Sequence, residues 1–225
     1  MKCSRGEWKQ EADTKPAQEH LDGIEHDTIF EDLDNKSPLL LQYKPVYKQV
    51  PVLVQNGNPI SGSLIILEYI EETWKQTPLL LEDPYEKATA RFWAKLNDEK
   101  LLPSTGQAFI KQGKEQKESI VPAMEIPKCV EELLKGKTFF GGENIGILDL
   151  AFGWIATIVS LFEEITGLKM IDSEKFPLLS AAWMENFSDV PVIKENWPPQ
   201  DKLITKFQAM HETYLAAAAP KGATS

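Results

Sequence analysis

The segment GILDLAFGWIATIVSLFEEI (residues 146–165) is apolar on nearly every side, and no other feature of the chain constrains the fold as strongly. A helix that is hydrophobic all round must be enclosed by other elements, so this segment predicts the central helix of a helical domain. Gly146 can serve as its N-cap. Asp149 then stands at the third helical position, where an acid can accept from the N-cap backbone.

Further helical patterns flank this segment, and they are amphipathic. They occupy residues 85–102, 177–190 and 200–219, and one face of the first carries Tyr85, Ala88, Phe92 and Leu96. Pro122 and Pro127 interrupt a stretch that would otherwise form one helix. Because an interior proline costs a helix about 3 kcal/mol, we expect a break there. Residues 85–219 are therefore predicted to form an all-helical domain, followed by a tail at 220–225.

Charge and cysteine content exclude several classes of function. The formal net charge is −10 at pH 7, whereas binding to a phosphate backbone or an anionic membrane surface needs a positive field. No apolar run approaches the roughly 18 residues that cross a bilayer, and residues 1–20 lack the apolar core of a signal peptide. The only cysteines are Cys3 and Cys129, which suits a reducing compartment. We expect a cytosolic protein without nucleic-acid or membrane partners.

The region before residue 85 has a mixed pattern. Residues 1–20 are charged and show no alternation, so we expect an atypical, disordered segment there. Within residues 21–74, IFEDL (29–33) is typical of a short strand, and SPLLLQYKP (37–45) of a helical turn that closes before its last proline. We interpret 21–74 as a small α/β domain and the proline-flanked stretch 75–84 as a linker.

The stretch QVPVLVQNGNPISGSLIILEYIEE (49–72) predicts a hairpin that leads into a helix. Two short apolar runs flank Asn56-Gly57, a dipeptide that favours a tight hairpin turn. Ser63 then begins an amphipathic helix, with its polar side supplied by glutamates. A cis peptide bond fits Val50-Pro51, where a loop meets a strand.

This stretch could bind an acidic peptide. A cis bond would leave the backbone of Val50 free to pair with an extended ligand, and Ser63 with the first helical N–H groups favours a carboxylate. Lys36 and Lys48 could hold a second carboxylate. An ordinary hairpin with a capped helix and surface lysines explains the same residues, and the residues alone leave both interpretations open.

Patterns for other chemistry are missing from the sequence. The histidines (His20, His26 and His211) share no ligand spacing with one another or with the cysteines, and no serine-hydrolase elbow, P-loop or dinucleotide motif occurs. We expect no metal ion and no bound cofactor. The paired acids are interpreted as solvated helix surface: Glu71-Glu72, Glu131-Glu132 and Glu163-Glu164.

Several segments resemble plant tau-class glutathione transferases in order and spacing. EDLDNKSPLLLQYKPVYKQVPVLVQNGNPISGSLIILEYIEETWK resembles the glutathione-binding half, and GKTFFGGENIGILDLAFGWIA and EKFPLLSAAWMENFSDVPVIKENWPPQDKL resemble the helical half. The likeness runs from about residue 21 to about residue 217. It implies a thioredoxin-like N-terminal domain, an all-α C-terminal domain and a homodimer. It also implies conjugation of glutathione, as co-substrate, to hydrophobic electrophiles in detoxification and stress response.

The resemblance implies a glutathione site of six positions. Lys36 matches the lysine that holds the glycyl carboxylate, and Val50, before Pro51, matches the backbone that pairs with the cysteinyl part. Ser63 matches the serine of a Glu-Ser pair that binds the γ-glutamyl group. Gly62 stands where the family has that glutamate, and Gln49 where it often has a lysine.

The resemblance also defines what this chain lacks. Residues 1–20 contain no apolar strand and no aromatic-x-S-P-F turn with the family's catalytic serine, so the first strand and helix are missing and the catalytic residue is unknown. Ser4 lies on no strand pattern and receives no role. For the electrophile the expected pocket residues are Pro103, Gln107, Phe207 and Tyr214, the first two standing where relatives often have Tyr and Arg.

Three hypotheses follow for the function. The first is a glutathione transferase. The second is a non-catalytic, ligandin-type binding protein of the same fold, or an inactive variant that lacks the catalytic serine segment. The third is a chain whose N-terminus comes from an alternative exon or a faulty gene model.

Overall fold

A computed structural model describes residues 26–32, 35–74, 78–123 and 125–218. These residues form two compact units. The first comprises the described residues up to Pro78 together with Glu195–Trp197, and the second comprises Leu79–Lys194 with the described residues from Pro198 onward. Among the helices of these ranges, none combines the length and the hydrophobicity needed to cross a membrane.

The first unit is a small α/β arrangement. Its elements are α1 (Pro38–Tyr43), β1 (Val52–Gln55), β2 (Asn58–Ser61) and α2 (Ser63–Thr73). The predicted helical turn, hairpin and following helix are confirmed. Helix α2 buries Ile66 and Ile70, which lie one turn apart on one face and attach the helix to its unit.

The hairpin follows from its two turn residues. Asn56 and Gly57 have φ angles of 52° and 80°, and a two-residue turn with positive φ at both positions matches the right-handed twist of paired strands. The antiparallel register runs from Gln55 opposite Asn58 to Val52 opposite Ser61. The turn therefore sets which residues meet at the far end of the hairpin.

The strand predicted at 29–33 is wrong for the residues that the structure describes there. Residues 26–32 have no regular secondary structure, and Ile29 and Phe30 are exposed. A β-strand needs a neighbouring backbone to satisfy its N–H and C=O groups. In the described part of the chain, β1 and β2 pair only with each other, so apolar composition alone does not produce a strand here.

The second unit is helical. Its helices are α3 (Pro84–Leu96), α4 (Leu102–Ile110), α5 (Gly113–Ile120), α6 (Ile126–Leu133), α7 (Ile147–Trp154), α8 (Ser160–Thr166), α9 (Met184–Asp189), α10 (Pro191–Asn196), whose last two residues belong to the first unit, and α11 (Gln200–Ala218). A short 3₁₀ turn at Val121–Ala123 separates α5 from α6, which confirms the break predicted from Pro122 and Pro127.

Three π-helical turns continue directly into helices of this unit, and two of them join a pair of helices without a loop. They are Asn97–Leu101 between α3 and α4, Ile155–Val159 between α7 and α8, and Leu178–Trp183 before α9. The helix predicted at 85–102 consequently continues to Ile110. Pro103 lies inside this continuous segment, directly after the π turn Asn97–Leu101, where the helical hydrogen-bond pattern already changes, and it does not end the helix.

The predicted central helix lies in the core of this unit. Phe152, Ile155 and Leu161 are between 0% and 2% exposed. Gly153 also belongs to this buried face, because the ring of Phe187 packs where its side chain would be. The apolar pattern of residues 146–165 thus predicts both the helix and its burial.

Asp149 fixes the start of this helix. Gly146 is the N-cap and donates its N–H to Asp149 Oδ2 at 2.7 Å. Phe140 N and the Trp183 indole Nε1 donate to Oδ1 at 3.0 and 2.7 Å, and Gly141 N donates to Oδ2 at 3.3 Å. Burial raises the pKa of Asp149, while the four hydrogen bonds act in the opposite direction. The predicted cap is confirmed. Asp149 also joins α7 to Trp183, which lies 34 residues later in the chain.

Two glutamates predicted to be solvated have structural partners instead. Glu131 accepts from the backbone N–H groups of Leu178 and Leu179, each at 2.8 Å. Glu163 accepts from those of Met170 and Ile171, also at 2.8 Å. A helix start leaves backbone N–H groups without acceptors, and Glu131 supplies one to a segment 47 residues away, whereas Glu163 binds the loop that follows its own helix.

Candidate functional site

The hairpin brings two of the predicted site segments to one end. Val52 and Ser61 are paired across the strands, so Pro51, which precedes β1, and Gly62, which follows β2, lie at the same end of the hairpin. Val50 and Ser63 come next on either side. The structure therefore places the extended segment and the helix start next to each other, as a ligand that contacts both would need.

The N-terminus of α2 is open. Ile66 N is the first amide that bonds within the helix, to Gly62 O at 2.9 Å, so the N–H groups of Ser63, Leu64 and Ile65 have no acceptor inside it. No side chain caps this end, because the N-cap is Gly62. Ser63 is exposed, and its hydroxyl and the free amides can therefore reach an anion.

Gly62 has a backbone conformation that restricts substitution. Its φ and ψ angles are 100° and 126°, a region that residues with a Cβ rarely adopt. A Cβ at this position would come no closer than 3.7 Å to its nearest neighbour, the side chain of Ile65. The restriction therefore comes from the backbone angles and not from crowding.

In the segment before β1, the backbone groups of Val50 are available for hydrogen bonds. The Val50–Pro51 peptide bond is cis, which confirms that prediction. Neither Gln49 nor Val50 belongs to a strand, and no backbone hydrogen bond joins Val50 to another residue within the described ranges. Both residues are half-buried and Pro51 is exposed. The amide and carbonyl of Val50 are consequently available to an extended ligand.

Lys36 is placed by the residue that follows it. Ser37 is the N-cap of α1, and its hydroxyl oxygen accepts from Leu40 N at 3.1 Å. Its own N–H donates to Glu31 Oε2 at 3.0 Å, and its hydroxyl donates to Glu31 Oε1. These bonds fix the backbone beside Lys36, whose side chain is half-buried. Lys48 is exposed and has a positive φ of 52°.

The four residues expected at the electrophile pocket lie on two helices of the helical unit. Pro103 and Gln107 belong to α4, and Phe207 and Tyr214 to α11. The two helices are joined where His211 Nδ1 lies 2.7 Å from the carbonyl oxygen of Phe109.

These four residues differ in exposure. Pro103 is exposed, and Gln107 and Tyr214 are half-buried. Phe207 is 3% exposed and packs edge-to-face on Phe109 and Phe162, so it belongs to the core of its unit.

Sequence patterns did not identify Asn97 or Glu31 as ordering residues. Asn97 is buried; its Nδ2 donates to Ala151 O at 2.9 Å, and its Oδ1 accepts from Trp154 Nε1 at 3.1 Å. Glu31 orders the segment beside Lys36, as described above. Asn97 could have been recognised in the sequence as a polar residue on an otherwise apolar helical face. No comparable pattern identifies Glu31.

Two family models match the chain. The model of the glutathione S-transferase N-terminal domain matches residues 19–72. The model of the glutathione S-transferase C-terminal domain matches residues 92–191. Together they span the open hairpin end and the central helix.

Individual proteins are similar over most of their length. A probable glutathione S-transferase from Glycine max is 43% identical over 198 residues, which cover 88% of each chain. A tau class glutathione S-transferase structure from mango is 36% identical, with a TM-score of 0.79 over 87% of this chain and 91% of that one. A rice GST1 structure in complex with glutathione is 30% identical, with a TM-score of 0.79 over 88% and 91%.

Proposed function

The chain belongs to the glutathione S-transferase family, and we propose that it transfers glutathione to hydrophobic electrophiles. One observation supports this most directly. The free backbone of Val50 and the open start of α2 stand at the same end of the hairpin. A γ-glutamyl peptide is an extended ligand with a carboxylate at each end, so it suits this arrangement.

Each site residue then has a proposed role. Ser63 and the free amides after it bind the γ-glutamyl carboxylate, and Val50, next to Pro51, pairs with the cysteinyl backbone. Lys36 holds the glycyl carboxylate through charge. Gln49 can contribute a neutral hydrogen bond, whereas Gly62 contributes no side chain at all.

For the electrophile we propose the exposed and half-buried residues of the helical unit. Pro103, Gln107 and Tyr214 would contact the hydrophobic acceptor. Phe207 would support α11 from the core, because only 3% of it is exposed. The residue that activates the glutathione thiol is not among these, and the proposed catalysis therefore depends on positioning.

The proposal is tested by turnover of a chromogenic aryl halide with glutathione by the purified full-length chain. We expect a rate above the uncatalysed reaction and a rise in the KM for glutathione of about tenfold in Ser63→Ala, since charge-assisted hydrogen bonds contribute about 1.5–3 kcal/mol. Ser173→Ala, an exposed serine of the helical unit, is the matched control. A rate equal to the uncatalysed one would reject the proposal.

A second candidate is a ligandin-type binding protein without turnover. It is favoured by the sequence of residues 1–20, which contains no aromatic-x-S-P-F turn. An oxyanion-type donor is typically worth about a hundred- to a thousandfold in rate, so a chain without that serine should be slow. Saturable binding of a hydrophobic dye by a protein with no turnover would select this candidate.

We further propose that the chain forms a homodimer. Tyr85 and Phe92 of α3 are 79% and 57% exposed, and Ala88 between them is also exposed. At this helical spacing the three residues form one apolar stripe, which we call the α3 stripe. An exposed apolar stripe of this kind is typical of a surface covered by a partner.

A cytosolic location is the last proposal. The net charge of −10 and the two cysteines support it. Cell fractionation of the native protein should recover it with soluble cytosolic markers. Recovery with sedimented membranes would reject this location.

A further inference from the structure

The register of the hairpin shows which backbone groups of β1 point away from β2. Pro59 lies opposite Val54. Because proline has no N–H, these two residues cannot exchange both hydrogen bonds, and they form a non-hydrogen-bonded pair. Such pairs alternate along an antiparallel ladder, so Val52 and Ser61 form the next one. Val52 and Val54 therefore direct their N–H and C=O groups outward, and we call these groups the β1 edge.

The β1 edge has no partner strand among the residues that the structure describes. There, β1 pairs with β2 alone, and no further backbone hydrogen bond joins Val52 or Val54 to another described residue. Val54 is 39% exposed, so a second strand can approach it. A free strand edge is a template for another strand, and a two-stranded hairpin gains stability when strands are added to it.

The two edges of the hairpin are not equivalent. On β2, Pro59 occupies an outward position and offers no N–H there. β1 has the sequence VLVQ and contains neither a proline nor a charged residue. Prolines and lysines are the residues with which proteins commonly block strand edges. Of the two described strands, β1 is consequently the one that is open to strand addition.

We propose that two copies of the chain associate by antiparallel pairing of their β1 edges, so that their hairpins form one continuous sheet. A twofold axis at Leu53 places Val52 of each copy opposite Val54 of the other, and the outward groups of each such pair exchange both hydrogen bonds. The same pairs bring β-branched side chains together, which stabilises neighbouring strands. This contact uses neither the α3 stripe nor the residues proposed to bind glutathione.

The two ends of β1 carry opposite charges. Exposed Lys48 lies upstream of the strand. At the other end, Gln55 accepts a hydrogen bond from the hydroxyl of Tyr69 in α2, and exposed Glu72 follows Tyr69 by one helical turn. Antiparallel pairing brings the start of each β1 toward the turn end of the other. Lys48 of one copy therefore approaches Glu72 of the second copy, and this complementarity favours a second copy as the partner strand.

The association should be weak. The paired strands are four residues long, which is far less than the surface of a stable interface. The net charge of −10 also makes two copies repel each other at a distance. We therefore expect a dissociation constant of about 0.1–1 mM.

The test is amide hydrogen exchange, measured by NMR on the full-length protein between about 20 µM and 1 mM, a range that spans the expected dissociation constant. Exchange at Val52 and Val54 should slow by about two- to fivefold as the concentration rises, because the paired fraction grows. Leu53 and Gln55 bond to β2 in the single chain, so their exchange should stay constant.

Variants at position 54 test the hydrogen bonds. Val54→Pro removes an outward N–H and keeps the bonds to β2, as Pro59 does on the facing strand, so the slowing at Val52 should disappear. Unchanged exchange at Leu53 would show that the hairpin is intact. Val54→Thr keeps the N–H and the β-branched shape and should behave like the wild type. If Val54→Pro does not fold, Val54→Lys, which adds a charge at the β1 edge, should at least halve the slowing.

A variant of the α3 stripe separates this contact from the proposed homodimer. Phe92→Glu should leave the slowing at Val52 and Val54 unchanged, and its loss in that variant would overturn the proposal. Exchange that stays fast at every concentration would also overturn it. Exchange that is slow at every concentration would mean that another segment of the same chain covers the β1 edge. Equal slowing in Val54→Pro and the wild type would exclude the outward N–H from the contact.

Discussion

Trp183 donates its indole N–H to Asp149 Oδ1 at 2.7 Å, although the two residues are 34 positions apart in the chain. Both are almost completely buried, with 1% and 0% of their surface exposed. The bond joins the start of α7 to the π turn that precedes α9. The same carboxylate also accepts three backbone amides, so one side chain holds together three segments of the helical unit.

Replacing this carboxylate should destabilise the protein strongly. In Asp149→Asn an amide group replaces one carboxylate oxygen and turns a donor toward other donors. Because each buried donor left unpaired costs about 1–3 kcal/mol, we expect a loss of about 2–4 kcal/mol in the free energy of unfolding, measured by urea denaturation. Glu118→Gln, which affects only an exposed ion pair with Lys114, should change it by less than about 0.5 kcal/mol.

The same variant should change how stability depends on pH. Burial raises the pKa of Asp149 above its ordinary value of 3.8, so the folded protein holds this proton more tightly than the unfolded chain. The resulting stabilisation is complete below pH 3.8 and is lost as the pH rises through the folded-state pKa. Over that window the unfolding free energy of Asp149→Asn should fall less with rising pH than that of the wild type. Parallel curves would contradict this.

Gly153 is expected to tolerate no side chain. A Cβ there would lie 2.5 Å from Cζ and 2.8 Å from Cε1 of Phe187, and this ring cannot move freely because it stacks on Trp183 at 5.3 Å. Overpacking of this kind costs about 1–3 kcal/mol, so Gly153→Ala should lower the denaturation midpoint, and Phe187→Leu in the same chain should restore part of it.

Gly106 provides the control for that substitution. It also lies in a helix, but a Cβ there would meet nothing within 4 Å. Gly106→Ala should therefore stabilise the protein by about 0.5–1 kcal/mol. If both glycine variants were destabilised equally, the contact with Phe187 would not be the cause.

At Gly62 the effects of backbone and charge can be separated. With φ at 100°, Gly62→Ala and Gly62→Glu should both lose about 1–3 kcal/mol of stability. Relative to the alanine variant, the glutamate variant should bind glutathione about tenfold more tightly by calorimetry, because its carboxylate can pair with the ligand's ammonium group. Equal affinities in the two variants would mean that position 62 does not face the ligand.

The α3 stripe should control assembly. Phe92→Glu places a charge within the proposed apolar interface, so analytical ultracentrifugation should show a shift from dimer toward monomer. Val121→Glu changes an apolar residue that is 63% exposed but lies outside the stripe, and it should leave the dimer intact. A wild-type protein that is monomeric at micromolar concentration would contradict the homodimer proposal.

The features that could be predicted from sequence depend on local chemistry. Asn56-Gly57 determines its turn through backbone angles that few other residues adopt. Gly146 and Asp149 cap a helix through atoms three residues apart. In each case the interacting groups are close together in the chain, so the interaction can be predicted from a short sequence pattern.

The features that were missed depend on distant partners. IFEDL is apolar enough for a strand, but pairing decides whether a strand forms, and residues 29–32 have no strand structure. No pattern in the sequence marked the three π turns. At the site, the sequence indicated Val50 and Ser63, and the register of the hairpin was needed to bring them to one end.

Glu131 and Glu163 have a consequence for how the chain can vary. Each stands beside a second glutamate, Glu132 or Glu164, that is exposed, whereas the first of each pair accepts two backbone amides from a segment outside its own helix. Adjacent glutamates in the sequence therefore differ in how strongly the fold restricts their substitution. In a saturation mutagenesis screen scored for folded protein, positions 131 and 163 should reject nearly every replacement, and positions 132 and 164 should accept most of them.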